Sequence, residues 1–241
     1  MSESLRNPDN GSRISPWRAV LRVLTDPVAT FRAMAEKPPV LVPYLVHMLV
    51  GLAVMALTYG KVVEIATQAT ASAMSANQEI DLELMRAMMN WSAGASLAVS
   101  ALIAPWVAGF VLSLVAMFFG QFEGGGVPLS AYMGMIGYAR LPLAILNLLA
   151  GIFLAATGRQ LNLSAAVLLP ETASPYLVGL LSSFNPLYLW YYVLLGIGFA
   201  ALFDREPRKG WALPVTVFVV TTLLNAVAVG VTSAFTPTMM N

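Results

Sequence analysis

The chain has 241 residues, 58% of them hydrophobic and only 10% charged, with a mean hydropathy of +0.74. Soluble domains carry about 25% charged residues, so this composition excludes a water-soluble fold, and a net charge of +1 excludes a broadly basic nucleic-acid-binding protein. Cysteine is absent, which removes disulfides, thiolate metal sites and cysteine nucleophiles.

Residues 1–14 are polar, with Asn, Asp, Gly and Ser clustered, and read as a disordered cytoplasmic tail. Residues 15–37 read as two amphipathic interfacial helices. Ser15-Pro16 is a cap residue followed by proline at the first helical position, after which Trp17, Val20, Leu21 and Leu24 fall at i, i+3, i+4 and i+7. Thr25-Asp26-Pro27 repeats the cap signal, and Val28, Phe31 and Ala35 carry a weaker apolar face beside Arg32 and Lys37. Two readings of these helices stand side by side. They lie flat among anionic lipid headgroups on the cytoplasmic side, or they pack on their own protein. The five arginines within the first 35 residues flank no uninterrupted apolar run, so no cleaved signal peptide is expected.

Residues 38–241 read as a five-helix transmembrane domain, making the fold all-α, a polytopic membrane helical bundle. Span one is 39–60, ended by Lys61, and 61–90 is an extramembrane helical hairpin broken near Asn77-Gln78. Span two is 91–120, longer than a crossing needs, so tilt or a kink at Pro105 is expected. After a glycine-rich turn, span three lies within 129–157, interrupted by Arg140 and Pro142. Residues 158–185 hold apolar pieces too short to cross and belong at the outer surface. Span four is 186–203, opening on an interfacial belt of Tyr188, Trp190, Tyr191 and Tyr192, and span five is 211–235.

Basic residues set the orientation. With the amino terminus inside, nine lie on the inner segments (Arg6, Arg13, Arg18, Arg22, Arg32, Lys37, Arg205, Arg208 and Lys209) and three on the outer ones (Lys61, Arg86 and Arg159). A cytoplasmic amino terminus and an extracytoplasmic carboxyl terminus follow.

Among candidate functional residues Arg140 stands first. A span beginning at Leu129 puts it about 15 Å deep, where a guanidinium must be paired or hydrated and would mark a cavity. A span beginning at Leu141 makes 129–139 a re-entrant or interfacial helix and Arg140 an inner orientation signal. The second reading is preferred, because no acidic residue within the spans is available as a partner. His47, the single histidine, reads as a neutral imidazole bonded across a helix interface rather than a metal ligand or proton relay. Pro43, Pro105 and Pro142 read as kinks. Glu79, Asp81 and Glu83 lack calcium-loop spacing and suit the start of an outer helix. The sequons at Asn90 and Asn162 are short enough to arise by chance. Small residues four or three apart (Gly94 and Ala98, Ala104 and Ala108, Gly134 and Gly137, Gly196 and Ala200, Ala226 and Gly230) suit close helix contact, within the bundle or between two copies. No phosphate-binding loop, HExxH, GxSxG or membrane-depth aspartate pair occurs. No enzymatic activity, metal or cofactor is expected.

Three stretches carry a family resemblance: Leu24-Thr25-Asp26-Pro27-Val28-Ala29-Thr30-Phe31; Gly124-Gly125-Gly126 leading to Gly137-Tyr138-Ala139-Arg140-Leu141-Pro142; and Phe184-Asn185-Pro186-Leu187-Tyr188-Leu189-Trp190 before Gly196-Ile197-Gly198. In order and spacing they resemble the bacterial branch of the Yip domain family, over residues 17–235. The resemblance implies five transmembrane helices, a cytoplasmic amino terminus and residence in the bacterial inner (plasma) membrane. It singles out Asp26, Pro27, Phe31, Gly137, Tyr138, Arg140 and Pro142. Eukaryotic members bind Rab-type GTPases, but the Asp-Leu-Tyr-Gly-Pro motif of those members is missing here, so that role does not carry over. The resulting expectation is a non-enzymatic membrane-organising or scaffold protein. Its partners would be the bilayer and anionic headgroups, with a second copy or another membrane protein. The alternative is a small transporter, channel or lipid-translocating protein with a path at the broken third span.

Overall fold

The computed structural model describes residues 14–73, 82–170 and 172–235. The expected tail as far as residue 13, the break near Asn77-Gln78, and Glu79 and Asp81 lie outside the described residues. The described residues form ten α-helices and no strand: α1 Pro16–Thr25, α2 Pro27–Met34, α3 Leu41–Ala73, α4 Leu82–Leu102, α5 Ala104–Phe122, α6 Leu129–Ala139, α7 Leu141–Thr157, α8 Pro175–Ser182, α9 Pro186–Leu202 and α10 Ala212–Phe235. Proline occupies one of the first two positions of α1, α2, α5, α7, α8 and α9, where its missing N–H costs nothing and its fixed φ suits the helix. Pro43 also falls in a first turn, the third residue of α3. It therefore does not kink that helix, contrary to the sequence expectation.

Three stretches are long and apolar enough to cross a bilayer by themselves: Leu41–Thr70, Ala104–Phe122 and Pro207–Ser233. Two bent pairs bring the number to five when each is one broken span: α6 with α7, bent by 41°, and α8 with α9, bent by 52°. The helix of span one does not end at Lys61 but runs on to Ala73, into the expected hairpin, with Lys61 paired to Glu64 at 2.9 Å on its exposed face. Span two is divided. The helix breaks at Ile103, ahead of Pro105, and only α5 has the apolar composition of a crossing. Antiparallel to α3, α4 is held by close backbone approach at Gly51 and Ala101 and by Tyr59, whose hydroxyl donates to Asn90 O at 3.2 Å.

The best-buried element is α6, with eight of its eleven residues inaccessible. Around it stand α1, α3, α5, α7 and α9, so 129–139 is the hub of the bundle, and with α7 it forms a pair that is either one broken span or a re-entrant loop. One end of the bundle gathers the glycine-rich turn and the charged turn after α9: Glu123 pairs with Arg205 at 3.7 Å, and Tyr132 and Phe203 both close on Gly120. Gly124, Gly125 and Gly126 all have positive φ, which explains three consecutive glycines at this reversal.

Candidate functional site

The site is built where helices are interrupted. Arg140 is at once the last cap of α6 and the first of α7, and Pro142, buried in the first turn of α7, prevents one continuous helix. The half-buried Arg140 guanidinium donates from Nη1 to Pro105 O at 2.9 Å, thereby tying the α6–α7 break to the α4–α5 break. Among the described residues no carboxylate pairs with Arg140. One face of this junction is a stack: Tyr44 lies on Trp106 with ring centroids 4.4 Å apart and planes 16° apart. Its hydroxyl donates to Met133 O at 3.3 Å. One turn on along α3, buried His47 has Nε2 3.4 Å from Gly137 O, the cross-helix contact expected of a lone neutral imidazole.

Small residues make these approaches feasible. A Cβ on Gly137 would lie 2.8 Å from Pro43 Cγ, and one on Gly134 would lie 2.6 Å from Pro38 O. Gly196 meets Gly210, a Cβ on Gly179 would lie 2.8 Å from Ala226 Cα, and Gly230 faces Tyr176. The Gly134/Gly137, Gly196/Ala200 and Ala226/Gly230 pairs thus serve contacts within the bundle. Ala104 and Ala108 do something else: they line open space beside Arg140.

Two clefts open there. One, about 640 Å³, is lined by His47, Thr58, Ser100, Asn147 and Gln160 together with Arg140. The other, about 1000 Å³, runs between α5 and α10 past Tyr188, Tyr191 and Tyr192. Arg140, Leu143, Ala104, Ala108 and Tyr188 line both.

The other motif residues lie across α6 from Arg140. Phe31 is buried where Gly198 and Met135 meet; a Cβ on Gly198 would fall 3.1 Å from Phe31 Cε1 and 2.7 Å from Met135 Cγ. Asp26 caps α2, accepting from Ala29 N at 3.4 Å, and pairs with Arg22 at 3.1 Å on the surface, with Pro27 as first residue of the helix. Asn185 is likewise a cap, its Oδ1 accepting from Leu187 N at 2.9 Å. Tyr138, fully buried, donates from its hydroxyl to Pro16 O at 2.9 Å and so fastens the start of α1 to the hub. Tyr138→Phe should cost about 1 kcal/mol, read as a fall of roughly 2–4 °C in the Tm of the detergent-solubilised protein; an unchanged Tm would show that the bond contributes nothing.

His47, Gly137, Tyr138, Arg140 and Pro142 therefore share one neighbourhood, with Phe31 on its far side and Asp26 and Pro27 at its edge. Sequence reasoning missed Tyr44, Gly109, Tyr188 as a cleft residue and the Pro105 carbonyl. Pro105 and Gly109 are four apart, a spacing that could have pointed to close approach at this turn.

Comparison with curated proteins and with solved structures returns no match. The Yip1 domain pattern matches residues 21–229, from within α1 to within α10, and takes in all three motif stretches. With most of its length matched and its apolar helices arranged around that motif hub, this chain is an integral, multi-pass membrane protein of the Yip1 domain family.

Proposed function

We propose that the chain is a non-enzymatic membrane-organising protein of the bacterial inner membrane, with its amino terminus in the cytoplasm. The observation that carries this reading is the way α1 and α2 are held. Ala19, Val23, Thr30, Phe31 and Met34 face the bundle, so these helices are fixed to it and do not float. Outward they present Trp17 and Leu21, 55% and 72% exposed, beside exposed Arg18, Arg22 and Arg32. Large apolar side chains among arginines suit the headgroup layer of an anionic leaflet. One face then packs on the bundle, and the other is free for the headgroup layer. A wedge braced against five crossings would transmit its insertion to the bilayer, and the excess of basic residues on the inner segments supports the orientation.

The test uses the full chain in phosphatidylglycerol-containing vesicles. Because the protein has no cysteine, Leu21→Cys can carry an environment-sensitive dye at one place only. We expect a blue-shifted emission in vesicles, and we expect the Trp17→Ser, Leu21→Ser double variant to lose any change in vesicle diameter that the wild type imposes. A dye spectrum typical of water would count decisively against the proposal. The clefts beside Arg140 favour the second reading, a transport path; solute flux that disappears in Arg140→Gln would put that reading in place of the scaffold.

A further inference from the structure

We propose that the clefts flanking Arg140 form a binding site for one anionic phospholipid, with its phosphate at Arg140 and Tyr188 and an acyl chain along the groove between α5 and α10. This goes beyond the membrane-organising reading, which rests on α1 and α2.

Charge comes first. A guanidinium has five N–H donors, and one of Arg140's meets Pro105 O. No Asp or Glu lines either cleft, so the site offers a cation without an internal counter-charge. Arginine within a membrane domain takes its partners from other side chains, backbone carbonyls or ligand, and its planar fork matches a phosphate in a bidentate way. Three chain interruptions converge on the same place. The first residues of α5 (Ala104 and Pro105), the cap and first turn of α7 (Arg140 and Leu143) and the first turn of α9 (Tyr188) all line these clefts. Helices of 19, 17 and 17 residues thus direct their positive dipole ends at it. Broken helices at ligand sites are how membrane proteins place such ends within apolar surroundings.

Shape distinguishes a lipid from a free anion. From Arg140 the larger cleft follows Val107, Val111 and Val115 on α5, facing Val217 and Val220 on α10. Val107 to Val115 covers about 12 Å at the helix rise. A free phosphate would leave this groove unused, whereas an acyl chain fills it. At about 1000 Å³ the cleft lies at the upper end of ligand sites, which run to about 1,000 Å³.

Native mass spectrometry of the detergent-solubilised full chain tests this with phosphatidylglycerol, phosphatidylcholine and inorganic phosphate as probes. The wild type should retain phosphatidylglycerol about tenfold better than phosphatidylcholine, roughly 1.4 kcal/mol, because both carry a phosphate but the choline cation of the second offsets it and is repelled by Arg140, which no cleft carboxylate balances. Arg140→Gln should bring the two to parity. Val220→Trp, which fills the groove away from the hub, should reduce retention of both lipids and so keeps the test valid should Arg140→Gln fail to fold. Equal retention of the two lipids by the wild type overturns the proposal. So does selectivity that survives Arg140→Gln, or retention that survives Val220→Trp. Displacement of phosphatidylglycerol by millimolar inorganic phosphate, with Val220→Trp silent, would show an anion site and overturn the lipid half.

Discussion

Gly109→Val is expected to lower the Tm of the solubilised protein by roughly 6–12 °C, corresponding to on the order of 3 kcal/mol of overpacking. Gly109 is buried on α5 directly against Tyr44, and a Cβ there would collide with the phenol hydroxyl and lie 2.6 Å from Tyr44 Cε1 and Cζ. The ring cannot give way cheaply, since it is stacked on Trp106 and its hydroxyl holds Met133 O at 3.3 Å. Loss of the stack would spread to the Arg140 junction, because Trp106 directly follows the Pro105 carbonyl that accepts from Arg140. Gly60→Ala supplies the contrast. Gly60 lies inside α3 with nothing within 4 Å of an added Cβ, so the same loss of glycine should leave stability unchanged or raise it by about 0.5–1 kcal/mol. A Gly109 variant as stable as the Gly60 variant would contradict the packing described for α3, α5 and α6.

The second large effect is expected at Phe31. Truncating a buried phenylalanine costs about 3–5 kcal/mol, and here the loss falls on the docking of α2 against α9 and α6, with Gly198 and Met135 left facing a void. The bundle is made by other helices, so Phe31→Ala should leave the crossings intact and free the amino-terminal helices. Trypsin should then cleave at Arg22 or Arg32 at least about 100-fold faster, each 1.4 kcal/mol being a factor of ten in the open population. Cleavage no faster than wild type would mean that α1 and α2 are held elsewhere. Tyr138→Phe, which removes a hydrogen bond without opening a void, should act in the same direction and more weakly.

Because each motif residue has an identifiable local job, much of the family pattern was readable as chemistry. Asp26 read as a cap from its place before proline, and the structure has it accepting a backbone N–H; Asn185, also before a proline, was recognised as a cap only in the structure. The interruption at Arg140 was expected from a charge and a proline two residues apart. What α6 packs against was not. Its sequence is apolar on every side, and such a helix can face lipid or protein equally well; the choice depends on which partners close round it. The apolar stripe of α1 is likewise divided only by the structure: Val20 and Leu24 pack against the core beside buried Ala19 and Val23, while Trp17 and Leu21 point outward.

By itself the sequence determined that the chain lives in a bilayer, where α1, α2, α6 and α9 begin and which segments carry the basic charge. These follow from composition, proline and cap residues, and the spacing of apolar runs, all of which act over a few neighbouring residues. Only the tertiary structure decided that 129–139 is a buried hub, that α3 continues past Lys61, that Gly109 receives Tyr44, and that three interrupted helices meet at Arg140 with open clefts on either side. In an apolar solvent hydrophobicity no longer selects the inside face of a helix, so close packing between residues distant in sequence makes that selection.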